Sequence, residues 1–449
     1  MVAISSHYMK SESMEENNMN TLQNVEQPKN KFKMRYVILA LVFVNIVINY
    51  MDRTNVSIAM PELAKEIGLS TVQQGLIFSA FGWIYAAMQV PGGILLDKFG
   101  SRIMYFISLF GWSLMTLFQA SIHNFGHFLG LRLGVGFFES PVMPANNRAI
   151  SYWFPENERG TAIGIYSSAQ FLGLAFSMPI LYAIHNSIGW GGLFIVTGVI
   201  GIIWAFVWYV LYSDPKKNKW VSQQELAYIK AGGAVFEEVS DTAPKASLTK
   251  ENLKKLFTKK LIGIYIGQFA ISGTFWFFLT WFPSYLTEEK GISLNKTGFL
   301  SSIPYLAAFV GVILAGYVSD KLSKRGFSKS MSRKIPVITG LLLTLLIMGA
   351  NYTSNPYLII TFMSVAFFGN GLATITWVFV TLLAPSNLLG LAGGIFNLCG
   401  ALSSIVIPIV IGYLVANGNF SSALVFIAAI ALVGACSYIF VVGKLETEE

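Results

Sequence analysis

Four ionisable residues, Asp52, Arg53, Arg132 and Glu139, stand inside stretches that are otherwise apolar, all in the first half of the chain. In hydrocarbon a lone charge at mid-bilayer costs roughly 3 to more than 10 kcal/mol. Such groups persist where they face one another, a cavity or a substrate. Arg53 offers a guanidinium fork matched to a carboxylate, with a charge that never leaves. Asp52 and Glu139 can lose and regain protons. Two bases and two acids near one pocket suit an anion carried together with protons. The four histidines (His7, His123, His127, His185) fall in the amino-terminal tail or near loops, so the carboxylates remain as proton carriers.

The elements that position these groups are membrane spans. The chain has 449 residues, 54% of them hydrophobic and 12% charged, against about 25% charged in a soluble domain. About twelve apolar stretches long enough to cross a bilayer recur along it. They run over 36–60, 73–96, 102–121, 125–147, 160–184, 190–212, 261–286, 298–319, 335–351, 356–382, 388–415 and 420–442. The expectation is an all-α membrane protein of two six-helix bundles, 34–213 and 261–442. A cytoplasmic linker (214–260) joins them, and polar cytoplasmic tails (1–33 and 443–449) flank them; the first tail reads as disordered. Within the linker, Ser222 to Lys230 reads as a short surface helix.

The net charge of +8 is not a nucleic-acid signal, because the bases collect in particular loops. Lys10, Lys29, Lys31, Lys33, Arg35, Lys98, Arg102, Arg148, Arg159, the linker, Lys321–Lys334 and Lys444 fall on one side. Lys65, Lys290 and Lys296 fall on the other. That bias puts both termini in the cytoplasm of a multi-pass protein of the cell membrane. Cys399 and Cys436 read as packing residues, with no disulfide or metal site.

Polar residues recur at helical spacing within the spans. Asn45, Asn49 and Asp52 share a face of the first, with Arg53 turned about 100° away. Gly82, Tyr85, Gln89 and Gly93 align in the second, Arg132, Gly136 and Glu139 in the fourth, and Tyr166, Gln170 and Ser177 in the fifth. The second half is uncharged but still striped: Gln268 and Ser272; Asn370, Thr374, Trp377 and Thr381; Gly393, Asn397, Gly400 and Ser404. Such stripes face a neighbouring helix or an aqueous path. By depth, Asp52 and Arg132 both lie in the outer half, which leaves a structural ion pair between them as one alternative to a functional role.

The halves also repeat. Gly93-Ile-Leu-Leu-Asp97-Lys98-Phe-Gly100-Ser-Arg102 follows the second span, and Gly316-Tyr-Val-Ser-Asp320-Lys321-Leu-Ser-Lys324-Arg325 follows the eighth. In this pattern the chain resembles the major facilitator superfamily; the first copy matches its loop motif fully and the second lacks the second Gly. The resemblance covers roughly 34–442. It implies two bundles rocking about a central site, with Asp97, Arg102 and Asp320 in gating, and Asp97 pairing with Arg102 when the cytoplasmic side is shut.

Local strings narrow the resemblance. Tyr50-Met-Asp52-Arg53-Thr-Asn55, Gln89-Val-Pro91-Gly-Gly, Gly136-Phe-Phe-Glu139-Ser-Pro141, Trp153-Phe-Pro-Glu-Asn-Glu158-Arg159-Gly and Trp276-Phe-Phe-Leu-Thr-Trp281-Phe-Pro283 are similar to the anion:cation symporters. Within them the chain is most similar to the bacterial sugar-acid permeases for galactonate, glucarate and hexuronate. The run Gly369–Trp377 is nearest the galactonate type. The resemblance implies substrate carboxylate at Arg53, and sugar hydroxyls at Tyr85, Gln170, Trp377 and Asn397. It implies proton coupling at Asp52 and Glu139, with Arg132 as charge partner. Ser140 departs from the Ala common after that Glu, with little consequence expected.

The expected function is proton-coupled symport of a sugar-acid anion by a monomer, without cofactor, metal or nucleic-acid partner. A polyspecific cation or drug exporter would favour an acid with no fixed Arg beside it. A membrane enzyme would need a nucleophile, metal cluster or cofactor site, and no His/Cys ligand set is visible. ATP-driven transport lacks its phosphate-binding Gly-x-x-x-x-Gly-Lys-Ser/Thr loop. A substrate sensor without transport would be expected to carry an added signalling domain.

Overall fold

In a computed structural model, residues 33–234, 254–385, 388–416 and 419–443 are described. Both expected tails, apart from Lys33 and Gly443, and the linker stretch 235–253 lie outside them. Nine helices among the described residues are long and apolar enough to cross a membrane. One of them, Glu156–Leu211, is two spans folded at Gly189, whose φ of 72° breaks the helical path. Gly100, at φ 74°, likewise separates the second span from the third. Only glycine takes up that backbone region freely.

Twelve spans result: α1 (Met34–Glu66), α2 (71–99), α3 (101–121), α4 (125–153), α5 (156–188), α6 (190–211), α7 (Lys259–Thr280), α8 (Leu294–Lys324), α9 (329–352), α10 (356–383), α11 (Leu389–Ala416) and α12 (420–441). They form two six-helix bundles. Ser and Asn side chains cap several of them, as Ser70 does for α2 and Asn124 for α4, each satisfying a backbone N–H that the first helical turn leaves free.

The expected linker helix is present as Gln223–Ala231, capped by Ser222. It is tied to the first bundle. The Glu225 carboxylate accepts the backbone N–H groups of Met34 (2.9 Å) and Arg35 (3.0 Å), which caps α1 with negative charge. Arg35 is fully buried and ion-paired with Glu158 of α5 at 3.1 Å. Its guanidinium lies between the rings of Tyr36 and Tyr228, 4.9 Å from each. Tyr228 donates its hydroxyl to Glu158 at 2.8 Å. Burial and that bond push the phenol up to about 12, so it remains a donor at physiological pH.

The bundles meet unevenly. Take the linker side as the face carrying Lys33, residues 212–234 and Gly443, and the far side as its opposite. On the far side α2 packs against α11 and α5 against α8 at backbone distance. A Cβ on Gly75 would stand 2.5 Å from the Pro408 carbonyl oxygen, and one on Gly298 2.9 Å from the Tyr182 Cβ. Asn186 donates to Asn295 across the same contact. Toward the linker side the corresponding glycines of these four helices, Gly93, Gly164, Gly316 and Gly394, have no atom within 4 Å of such a Cβ. The two bundles therefore close together at the far side and part toward the linker side.

That contact makes a direct test. In Gly75→Leu, backbone would have to yield, because the obstructing atom is a carbonyl oxygen. Spin labels at Ser70→Cys and Ala416→Cys should report a longer far-side distance in this variant. An unchanged distance would mean that the α2–α11 approach does not hold the far side shut.

Candidate substrate and proton site

The site begins with two adjacent residues of α1 that point to different neighbours. Asp52 is buried, and its Oδ2 accepts the indole N–H of Trp112 on α3 at 2.9 Å. Arg53 turns the other way, toward α4 and the second bundle. Its Nε donates to Glu139 Oε1 at 2.6 Å, and a second guanidinium nitrogen ion-pairs with the same oxygen. Glu139 is fully buried and Arg53 is 8% exposed. The close approach of α2 and α4 delivers Glu139 to this point: at Gly136 a Cβ would lie only 2.4 Å from the Phe81 carbonyl oxygen.

Aromatic rings enclose the guanidinium. Arg53 sits 4.7 Å from the Phe81 ring, 4.9 Å from Tyr50, 5.3 Å from Tyr85 and 6.0 Å from Trp276. Trp276 belongs to α7, so both bundles contribute to the box. Each cation–π contact adds about 0.5 to 2 kcal/mol, most where water is excluded. The rings thus give Arg53 contacts that do not depend on its carboxylate partner.

The ion pair that depth allows between Asp52 and Arg132 is not made. Asp52 is held by Trp112, and no acid among the described residues lies within 4 Å of the Arg132 guanidinium. Arg132 is 2% exposed, stands 5.6 Å from the Phe81 ring, and its Nε and Nη1 have no hydrogen-bond partner among the described residues. It still acts electrostatically on both Asp52 and Glu139. The helix rotation that pairs Arg53 with Glu139 leaves Arg132 as a neighbouring positive charge.

The expected hydroxyl-binding residues fall in two groups. In the first bundle, Gln170 accepts the Tyr50 hydroxyl at 2.9 Å, and Tyr85 stacks on Phe81 with ring centres 5.1 Å apart. In the second, Trp377 is 48% exposed and meets Phe396 edge-on, and Asn397 is exposed on α11. Nearby, Gln268 links Ser272 and Thr376 through bonds of 3.3 Å each. Tyr50, Phe81, Trp112 and Trp276 are the contributors that spacing alone did not single out. Tyr50 and Trp276 lie within quoted strings, but ring identity gives no signal of which charge a ring will face.

The loop residues sit apart from this centre. Asp97 is 83% exposed at its side chain and pairs with Arg148 at 3.0 Å. Arg102 donates to the Tyr209 carbonyl at 2.9 Å and lies over that ring. With the linker side parted, Asp97 and Arg102 thus each have another partner. Asp320 is exposed.

A model described as Major Facilitator Superfamily matches residues 42–331. The chain belongs to that superfamily. It is 49% identical over 416 residues to the D-galactonate transporter of Escherichia coli O6:H1 (strain CFT073), covering 92% of this chain and 97% of that protein. It is 42% identical over 442 residues to the probable galactarate/D-glucarate transporter GarP of Escherichia coli (strain K12), covering 95% and 99%. Among solved structures, a bacterial homologue of the human lysosomal transporter Spinster, in an inward-facing and occupied conformation, superposes with a TM-score of 0.72. That match has 15% identity and covers 92% of this chain and 97% of the other, a likeness of fold. As a member of this superfamily the chain is a membrane transporter and not an enzyme.

The ion pair predicts a stability pattern. Glu139→Leu strands a buried guanidinium and should destabilise the protein by about 3–5 kcal/mol. Arg53→Met combined with Glu139→Leu removes both charges and should recover most of that loss in thermal-melt assays in detergent. A double variant no more stable than Glu139→Leu alone would show that the two charges do not depend on each other.

Proposed function

We propose that this protein imports a sugar-acid anion, a hexonate such as D-galactonate, together with protons. The carrying observation is that Arg53 and Glu139 occupy each other. A substrate carboxylate has to replace Glu139 on the guanidinium. It does so at least cost when Glu139 takes up a proton, because a neutral acid no longer competes for Arg53. Loading of proton and of anion are thereby linked in one exchange of partners. The transporter named for D-galactonate, at 49% identity, supports the substrate class.

Energetics favour more than one proton. An anion entering an inside-negative cell works against about 2.3 kcal/mol per charge per 100 mV. One proton cancels the charge of a monoanion, and a second lets the potential itself drive uptake. Asp52, beside Glu139 electrostatically but held separately by Trp112, is the second acid. Arg132 supplies positive charge to both acids.

The sugar hydroxyls then lie between Tyr85 and Gln170 on one bundle and Trp377 and Asn397 on the other. The second-bundle group formed by Gln268, Ser272, Thr376 and Asn397 is polar but uncharged. This favours a monocarboxylate over a dicarboxylate such as glucarate, whose second carboxylate would seek another cation. The basic bias of the loops supports a cytoplasmic linker side, so the described conformation is the one open inward. Closing that side would free Asp97 and Arg102 from their present partners to act, with Asp320, as the latch.

Reconstituted vesicles test the proposal. An inward-directed proton gradient should drive uptake of galactonate well ahead of glucarate, glucuronate and gluconate. Arg53→Ala should abolish binding, and Glu139→Gln should stop gradient-driven uptake while preserving exchange of internal for external substrate. Wild-type rates in both variants would refute the site assignment. Transport of neutral sugars or lipophilic cations in place of these acids would refute the substrate class.

A further inference from the structure

A surface cavity of about 510 Å³ lies at the linker-side edge of the first bundle. It sits between the start of α3, the end of α6 and the loop that follows α6. Arg102, Lys217 and Lys219 line it, and Asp214 is the acid among its lining residues. No carboxylate among the described residues lies within 4 Å of the three cationic groups. Asp214 instead accepts the Tyr212 hydroxyl at 3.4 Å. Positive charge therefore dominates the cavity.

The cations stand on fixed frames. The Nε bond from Arg102 to the Tyr209 carbonyl, with the guanidinium 4.5 Å from that ring, leaves its two terminal nitrogens to donate elsewhere. Lys217 and Lys219 flank Asn218 on a pinned turn. The Lys217 N–H donates to the Asp214 carbonyl at 2.9 Å, and the Asn218 side chain accepts the Trp220 N–H at 2.9 Å. A phosphate group, with several oxygens, accepts from a guanidinium and from ammonium groups together.

The rim separates a lipid from a soluble phosphate. Phe99, Ile103 and Val210 line the cavity and are exposed, Val210 at 64%. Trp220 lines it from the loop and is 54% exposed, as suits an indole where a bilayer meets water. Phe99 also lines a second hollow of about 140 Å³ between α2, α3 and α4, with Leu95, Met104 and Ile107 among its other walls. Acyl chains attached to a phosphate in the first cavity thus have apolar surface on both flanks of α3. A soluble phosphate would leave those faces unused.

We propose that this cavity binds the phosphate of an anionic phospholipid from the leaflet on the linker side. Arg102, Lys217 and Lys219 hold the phosphate, and the acyl chains lie along α3. Basic pockets at the ends of membrane helices suit acidic headgroups in this way. A zwitterionic head would bring its own cation toward the positive groups, so the site selects the anionic lipid. The site is separate from Arg53 and Glu139 and does not depend on how substrate and protons are coupled.

Native mass spectrometry of the full-length protein in detergent, titrated with lipid, tests this. The first phosphatidylglycerol should bind about tenfold more tightly than phosphatidylcholine. Lys217→Ala with Lys219→Ala should weaken that phosphatidylglycerol about tenfold. Lys321→Ala with Lys324→Ala removes equal charge from exposed positions on α8 and should leave it unchanged. Equal weakening in both double variants would mean general attraction to a basic face, and unchanged affinity in the first would mean an empty cavity; either overturns the proposal. Glycerol phosphate, which lacks acyl chains, should fail to displace the lipid at equal concentration. Displacement by it would make the ligand a soluble phosphate and overturn the lipid assignment.

Discussion

A guanidinium and a carboxylate that have left water together set the terms for everything around them. Neither Arg53 nor Glu139 could be buried alone inside a bundle of apolar helices. Their partnership explains why α1, α2 and α4 come so close at this level, and why the rings of Tyr50, Phe81, Tyr85 and Trp276 gather there. In the proposed mechanism the rings make the arrangement exchangeable. They hold the cation by its faces and leave its fork to whichever carboxylate wins it. A transporter needs that property, since a site bound permanently to its own acid would never load cargo.

The same centre connects site to motion. Trp276 reaches Arg53 from the second bundle, and Tyr50 meets Phe275 edge-on with centres 5.9 Å apart. Any rocking of one bundle on the other therefore alters the box around the charge. Contacts at Gly75 and Gly298 bring the far ends of the bundles to backbone distance, which suits small residues at helix crossings within a membrane. The Glu225–Arg35–Glu158 clasp binds the linker helix to the first bundle alone. The linker helix is thus part of the first bundle's packing rather than a free connection.

Much of this was legible beforehand, and the misses share one cause. Hydropathy marks spans, so the twelve helices stood near their expected places; the turns at Gly100 and Gly189 were marked by composition and loop charge. The linker helix stands where the segment Ser222 to Lys230 reads as one. The four intramembrane charges were visible because their neighbours are apolar. Spacing along a helix gives the direction of each residue relative to its own axis. It does not give the rotation of one helix against the next. For that reason a match in depth left Asp52 and Arg132 free to pair on paper, whereas Arg53 took Glu139 and Asp52 took Trp112.

The central claim is that substrate and Glu139 compete for one guanidinium. Calorimetry of galactonate binding, repeated in buffers of different ionisation enthalpy, reads the protons taken up per substrate bound. Competition predicts net proton uptake by the wild-type protein and a smaller uptake by Glu139→Gln, whose side chain needs no proton to release Arg53. The same proton uptake in both proteins, or tight binding with none in the wild type, would contradict the account.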